Sequence, residues 1–244
     1  MVDILICGAC GKMGATLLEL LQGDSKAKAV CGVDIRAPEN ARIPIYKTFG
    51  EVRQKVDVII DFSSPAALFD ELDWAVKNNI PVVLGSTGFD NEQLKYIDEC
   101  AKKIPIFKTA NFSLGVNLLM KLVRESAEVL GDKFDIEIIE KHHSLKADAP
   151  SGTALMLAEC ANIDNKEYLY GRRDTGKRGN EICIHAVRGG TIVGEHEVMF
   201  AGEDEIVTLS HSARSKKVFA AGAVKAAIFL AGKPAGKYDM QDIV

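Results

Sequence analysis

The chain has 244 residues, enough to bury a sizeable core in one or two domains. With 47% apolar and 26% charged residues, a disordered chain is excluded and a globular protein is expected. A formal net charge of -4 gives no general attraction to nucleic acid or to an anionic membrane, and neither is expected as a partner.

The opening MVDILICGACGKMG carries an acid at position 3 and reaches glycine after a short apolar run, unlike a basic-headed leader or a spanning helix. A soluble cytoplasmic protein is the expectation. The six cysteines fall mostly in apolar runs or helical stretches without a regular framework, which favours reduced thiols. Cys7 and Cys10 form a lone CxxC that no second pair completes.

DILICG predicts a strand that stops at Gly8, and KMGATLLELLQG a helix with Met13, Leu17, Leu18 and Leu21 on one face. KAVCGVD predicts a second strand ending at Asp34, followed by IRAPENARIPIY as a polar connector. VDVIIDFSSP predicts a third strand that breaks at Ser63, Ser64 and Pro65, and Ala67, Leu68, Leu72, Trp74 and Ala75 fit the next helix. IPVVLGSTGF supplies a strand and a glycine loop, DNEQLKYIDECAKK a helix capped by Asp90, and IPIFKTANFS a fifth strand. Apolar strands alternating with amphipathic helices predict an α/β unit with a mostly parallel sheet covered on both faces. Ligands of such sheets gather beyond the carboxyl ends of the strands, where Gly8, Asp34, Phe62, Gly85 and Ala110 fall.

After a helix in GVNLLMKLVRESAEVL the rhythm changes. FDIEIIEKHH, NEICIHAVRG, TIVGEHEVMF and DEIVTLSHSA read as strands with only one helix among them, near GTALMLAECA. That pattern predicts a smaller α+β domain with an antiparallel or mixed sheet. The final RSKKVFAAGAVKAAIFLAG is a long apolar helix that suits either domain.

GACGKMG, from Gly8 through Ala9, Cys10, Gly11, Lys12 and Met13 to Gly14, has dinucleotide-type glycine spacing. Gly8 permits a tight turn, Gly11 admits a pyrophosphate to backbone N–H groups, and Gly14 lets helix and sheet approach. Asp34, twenty residues beyond Gly14, is placed to accept ribose hydroxyls. A structural turn followed by a solvated aspartate is the plainer alternative. Asp34 favours a free 2′-hydroxyl, whereas Lys12 and Arg36 offset a 2′-phosphate. Use of both NADH and NADPH is therefore expected, with NADH slightly favoured. GSTGF, containing Gly85, Ser86 and Thr87, and DFSSP offer further strand-end contacts.

EKHHSLKADAPSGTA, residues 140–154, gathers two of the five histidines with two lysines and a Pro-Ser-Gly-Thr turn. His142 and His143 supply acid or ligand groups, and Lys146 supplies positive charge. Ser151, Gly152 and Thr153 resemble an anion-binding helix start, so a dianion suits the stretch. Zinc is the chemical competitor. It lacks well-spaced ligands, since Glu140, His185, His196 and His211 join only if the fold gathers them, and no metal is expected.

The motifs GACGKMG, DFSSP, GSTG, ANFSLGVN, EKHHSLKADAPSGTA, VRGGTIVGEHEVMFAG and FAAGAVKAAIFL occur in the order seen in the 4-hydroxy-tetrahydrodipicolinate reductase (dihydrodipicolinate reductase) family, which the chain resembles over almost its full length. The resemblance implies a Rossmann-like domain over 1–113, an inserted α+β substrate-binding and oligomerisation domain over 114–210, and a C-terminal return over 211–244. It implies NAD(P)H-dependent reduction of a small cyclic dicarboxylate with loss of water, in diaminopimelate and lysine biosynthesis. His142 is then the proton donor to the electron-rich product, at nitrogen, and Lys146 a catalytic or substrate residue. His143 would contact the dicarboxylate and Ser151, Gly152 and Thr153 would hold one carboxylate. Phe62, Gly85, Ser86, Thr87, Ala110, Asn111 and Phe112 would join the glycine motif, Asp34 and Arg36 in the cofactor and interdomain region. A homotetramer is implied as well. The family's proline before Asn-Phe-Ser is replaced here by Thr109-Ala110, and the roles of Arg172, Arg173, Lys177 and Arg178 stay open among substrate charge, subunit contact and solubility. Another two-domain reductase of a small anion, or a dinucleotide-responsive regulator, are the alternatives.

Overall fold

The computed structural model describes residues 1–38, 40–172 and 176–244, with the backbone alone at Asp132. The chain divides into two compact units, Met1–Ser113 with Lys217–Val244, and Leu114–Lys216.

The first unit is built on a seven-stranded parallel sheet. Its strands are β1 (Val2–Cys7), β2 (Ala27–Val33), β3 (Ile45–Tyr46), β4 (Val58–Asp61), β5 (Val82–Leu84), β6 (Pro105–Lys108) and, from the C-terminal segment, β12 (Gly236–Tyr238), in the order β12-β6-β5-β4-β1-β2-β3. The order reverses between β1 and β4, the crevice where open parallel sheets bind ligands. Helices α1 (Lys12–Leu21), α2 (Leu68–Asn78), α3 (Asn91–Ala101) and α6 (Lys217–Leu230) belong to this unit. Ile4, Leu5 and Ile6 are all wholly buried, because their strand is covered on both faces. Each such side chain contributes roughly 1.5–3 kcal/mol by leaving water.

Asp90 caps α3 as its sequence predicts, accepting from Gln93 N at 2.8 Å while Gln93 Oε1 accepts from Asp90 N at 3.1 Å. Helix α6 packs on α1 and on β4, β5 and β6. Two strands of this sheet differ from expectation. The connector before residue 47 contains β3, and the C-terminal segment contains β12. Neither has a buried apolar run to read, and pairing with β2 and β6 makes them strands.

The second unit holds a mixed five-stranded sheet. Strands β7 (Asp135–His142), β8 (Glu167–Tyr170), β9 (Glu181–Arg188), β10 (Gly194–Ala201) and β11 (Ile206–Ala213) lie in the order β11-β10-β7-β9-β8. β7, β8 and β9 run parallel, whereas β10 is antiparallel to β7 and β11. Helices α4 (Leu114–Leu130) and α5 (Gly152–Ala161) pack together, and their apolar residues share a core with Ile136, Ile138, Ile182, Ile184, Val198 and Phe200. β8 is not among the strands expected, since its exposed edge residues lack a clean alternation. The boundary expected at 210 falls inside β11, whose ladder with β10 continues to Ala213, and this unit extends to Lys216. Among the described residues no helix is long and apolar enough to cross a membrane.

Candidate active site

In the first unit β1 stops at Gly8, where φ is +78° and a Cβ would meet the Phe62 carbonyl oxygen at 2.7 Å. Only glycine makes that turn beside the end of β4. A Cβ on Gly14 would lie 2.4 Å from the Gly8 carbonyl oxygen, so α1 closes tightly on the turn. Asp34, just beyond β2, accepts from Cys10 N and from Arg36 N, both at 2.9 Å. It therefore fixes the glycine turn as well as standing at a strand end.

A cavity of about 760 Å³ opens here, within the range of small-molecule sites, and is lined by Gly8, Gly11, Asp34, Arg36, Lys47 and Phe62 among others. The turn, the acid and the volume fit one half of a dinucleotide. Of the two cations expected, Arg36 lines the cavity and Lys12, on the exposed first turn of α1, does not. Lys47, one residue past β3, is there instead. Ala9 is buried beneath the turn, the Cys10 thiol donates to the Arg36 carbonyl, and Met13 lies half-buried in α1.

Gly85, Ser86 and Thr87 follow β5. The Ser86 hydroxyl donates to the Asp61 carboxylate, and Gly85 N donates to the Asp61 carbonyl at 2.8 Å, so β4 anchors this loop. Burial raises the Asp61 carboxyl, opposed by hydrogen bonds from Ser63 and Ser86. Glu71 beneath it is wholly buried, and neither carboxyl oxygen has a partner among the described residues. Burial first, and the charge of Asp61 second, push Glu71 well above the ordinary carboxylate range. The Phe112 ring packs against Phe62 with centroids 5.7 Å apart. Thr109 closes the turn before it, its hydroxyl donating to Asn111 O at 3.1 Å. Asn111 Oδ1 accepts from Ser113 N at 2.8 Å, and Ala110 is exposed.

In the second unit the alternation of β7 sends Ile136, Ile138, Glu140 and His142 to the helix-covered face. The apolar pair builds core, and the polar pair continues the same face at the strand's end. His142 Nδ1 lies 2.6 Å from Glu140 Oε2. Arg188, in register with His142 on β9, reaches Glu140 Oε2 and Oε1 at 2.8 and 2.7 Å. Ser151 N donates to Glu140 Oε1 at 3.0 Å. Ser151 caps α5, accepting from Ala154 N at 3.2 Å, and its hydroxyl meets His196 Nε2 at 3.0 Å. The His196 and His142 rings meet edge to face at 5.2 Å.

Burial alone would raise the Glu140 carboxyl, but the Arg188 hydrogen bonds, then His142 and Ser151 N, hold it below the ordinary range. Burial, and then the neighbouring His142, lower His196 to about 4, so it is neutral at physiological pH. β7 ends at His142, and His143 begins the loop that carries Lys146. Lys146 N donates to His143 O at 3.1 Å, and its ammonium pairs with Asp148 at 2.8 Å. Gly152 and Thr153 form the first turn of α5.

Of the residues weighed for zinc, His211 on β11 lies opposite His196, and only His185 stands apart. Glu140 and His196 sit beside His142, whereas His185 bonds Glu137 at 2.7 Å on the opposite sheet face. Arg172 pairs with Glu137 and Glu181, and Arg178 with Asp135 and Glu137, which occupies both along the sheet. Lys177 is exposed, and Arg173 lies outside the described residues. Sequence reasoning missed Arg188 as a partner of this site and left Glu140 without a role. The available signal was a basic residue at a strand end before the Gly-Gly of VRGGTIVGEHEV.

A parallel sheet with a glycine turn, a strand-end aspartate and a cavity at its switch point, joined in one chain to a buried histidine–carboxylate site, defines a two-unit NAD(P)-dependent oxidoreductase. Residues 2–112 match the family model described as "Dihydrodipicolinate reductase, N-terminus", and residues 115–244 match "Dihydrodipicolinate reductase, C-terminus". The chain belongs to the dihydrodipicolinate reductase family, whose members act in lysine and diaminopimelate biosynthesis. Relatives named 4-hydroxy-tetrahydrodipicolinate reductase include one from Caldanaerobacter subterraneus subsp. tengcongensis, 49% identical over 100% of this chain and 98% of the relative. Another, from Clostridium novyi, is 44% identical with the same coverage. The solved dipicolinate-bound dihydrodipicolinate reductase from Paenisporosarcina sp. TG-14 matches with a TM-score of 0.83 and 28% identity, covering 100% of both chains.

Proposed function

We propose that this chain reduces 4-hydroxy-2,3,4,5-tetrahydrodipicolinate to 2,3,4,5-tetrahydrodipicolinate, consuming one NAD(P)H and one proton and releasing NAD(P)+ and water. The observation that carries the reading is the end of β7, where His142 lies beside the cap of α5 and is followed by the loop bearing Lys146. When bound, the nicotinamide supplies the hydride. Gly8, Gly11, Asp34 and Arg36 hold the dinucleotide, and the 85–87 and 110–112 segments complete its site. Asp34 and Arg36 together support use of both NADH and NADPH, with NADH slightly preferred because the acid is nearly buried and fixed in place.

His142 delivers the proton to the electron-rich ring. His143, Lys146 and the first turn of α5, Ser151 to Thr153, take the two carboxylates, since a lysine and the positive end of a helix complement a dianion. Lys146 exchanges its pairing with Asp148 for the substrate. The other face of the second sheet, with Ile139 and Met199, is the surface we assign to a homotetramer, a state that native mass spectrometry reads directly.

The test is to generate the hydroxylated cyclic substrate freshly, follow NADH and NADPH oxidation by the purified chain, and identify the ring product. Tetrahydrodipicolinate formation supports the reading. Absence of product with both cofactors, under conditions where both bind, overturns it. In His142→Gln and Lys146→Ala, turnover falls at least a hundredfold with dinucleotide binding retained. Normal turnover in both removes the assigned roles.

A further inference from the structure

We propose that Glu140, gripped by Arg188, is the positioning residue for His142. Its carboxylate keeps a proton on Nδ1 of that imidazole, so Nε2 is the atom that gains and surrenders the catalytic proton, and it ties the ring to the first turn of α5. The inference rests on the reading of His142 as proton donor.

Glu140 is fully buried and its carboxylate is saturated by four donors. Oε2 takes His142 Nδ1 and Arg188 Nη1 at 2.6 and 2.8 Å, and Oε1 takes Arg188 Nη2 and Ser151 N at 2.7 and 3.0 Å. A buried carboxylate survives as an anion only when paired and hydrogen-bonded. The guanidinium fork meets both oxygens and fixes the plane of the group. An ionised carboxylate has no proton to give, so Nδ1 is the donor of the 2.6 Å bond whatever the charge of the ring. Nε2 is left as the exchangeable position. It faces residue 194 at the start of β10, where a Cβ would lie 3.0 Å away and where the chain has glycine.

The surroundings support one assignment. Facing Glu140 are Arg188 from β9, His142 on its own strand, His196 from β10 and Ser151 from the start of α5. Lys146 and Asp148 stand on the intervening loop, and the Asp148 carbonyl takes Arg188 Nη2 at 2.6 Å. His196 does not compete for the carboxylate, because it is neutral and its Nε2 is engaged by the Ser151 hydroxyl. The same carboxylate thus aligns the acid and, through Ser151 N, the start of the helix assigned to a substrate carboxylate. Such a shared support holds two functional groups in fixed relation.

A merely structural ion pair would stabilise the fold without setting the proton chemistry, and the two are separable. The full chain is compared with Glu140→Gln, Arg188→Gln, Arg188→Lys and His142→Gln in kcat against pH, dinucleotide Kd, and 15N shifts of histidine-labelled protein. In Glu140→Gln, kcat falls about 100-fold while Kd stays within twofold. In Arg188→Gln the carboxyl loses its cation and its pKa rises, so protonation removes the acceptor at higher pH. The acid limb of kcat then moves up by at least about one pH unit. Arg188→Lys keeps the charge without the fork and lies between this variant and the wild type. The His142 15N resonances, found by their loss in His142→Gln, move toward a tautomer average in Glu140→Gln. If that variant does not fold, the same readings on the two Arg188 variants decide.

A kcat within threefold of wild type in Glu140→Gln overturns the proposal. So does an Arg188→Gln profile that superimposes on the wild type after scaling, with His142 shifts unchanged. If His142→Gln turns over normally, the proton-donor reading has failed and the inference goes with it. If His142→Gln is crippled while the Glu140 and Arg188 variants are not, only the positioning role has failed.

Discussion

Ser151→Ala removes one hydroxyl that serves two partners. Its oxygen accepts from Ala154 N at 3.2 Å as the cap of α5, and it is the neighbour of His196 Nε2 at 3.0 Å. Loss of a serine cap to alanine costs about 1 kcal/mol. Stranding a buried polar atom costs a further ~1–3 kcal/mol, and His196 cannot turn to a second partner, since its Nδ1 already has none among the described residues. The sum, about 2–4 kcal/mol, lowers the melting temperature by roughly 5–15 °C in a chain of this size. If the hydroxyl also donates to a substrate carboxylate, substrate KM rises about tenfold or more, the worth of one hydrogen bond to a charged group. Ser151→Gly separates the two structural parts, because glycine caps nearly as well as serine and restores only the helix contribution. Thermal denaturation and steady-state kinetics on the three proteins decide. A melting temperature within 2 °C of wild type in Ser151→Ala, as read by that assay and with unchanged KM, refutes the shared-hydroxyl account.

Glu71 has a folded pKa raised above its unfolded value, so its contribution is complete below the unfolded pKa near 4.5 and is lost as pH rises toward the folded pKa. Relative to Glu71→Met, the wild type therefore loses up to about 1.4 kcal/mol per pH unit across that window, which urea melts at pH 5 and pH 8 measure, and a pH-independent difference contradicts it. Lys47→Ala raises KM for NADPH about fivefold, the ~1 kcal/mol of an exposed ion pair, and leaves NADH within twofold; equal effects on both would remove Lys47 from phosphate recognition. Gly194→Ala puts a methyl 3.0 Å from His142 Nε2, so kcat drops about tenfold at constant dinucleotide Kd, and unchanged turnover would show that this face of the ring is not used.

Local sequence settles whatever depends on neighbouring residues. The glycine turn, the strand-end Asp34, the Asp90 cap and the apolar runs of β1, β2, β4, β5 and β6 need only short-range patterns, and each is readable there. The helix start at Ser151 is readable for the same reason, because cap and helix are contiguous. β3, β8 and β12 are not, since they lack the buried apolar run of β4, β5 and β6 and are strands only by pairing with a neighbour. Tertiary structure alone decides the surroundings of His142. The parallel register of β7 with β9 brings Arg188 beside it from 46 positions away, and the antiparallel register with β10 sets His196 opposite Glu140. It likewise replaces Lys12 by Lys47 at the cavity, because the pairing of β3 with β2 carries residue 47 to the strand ends while α1 turns residue 12 outward. Register is set by burial of a whole sheet face, a property of strands distant in the chain, and no local spacing encodes it.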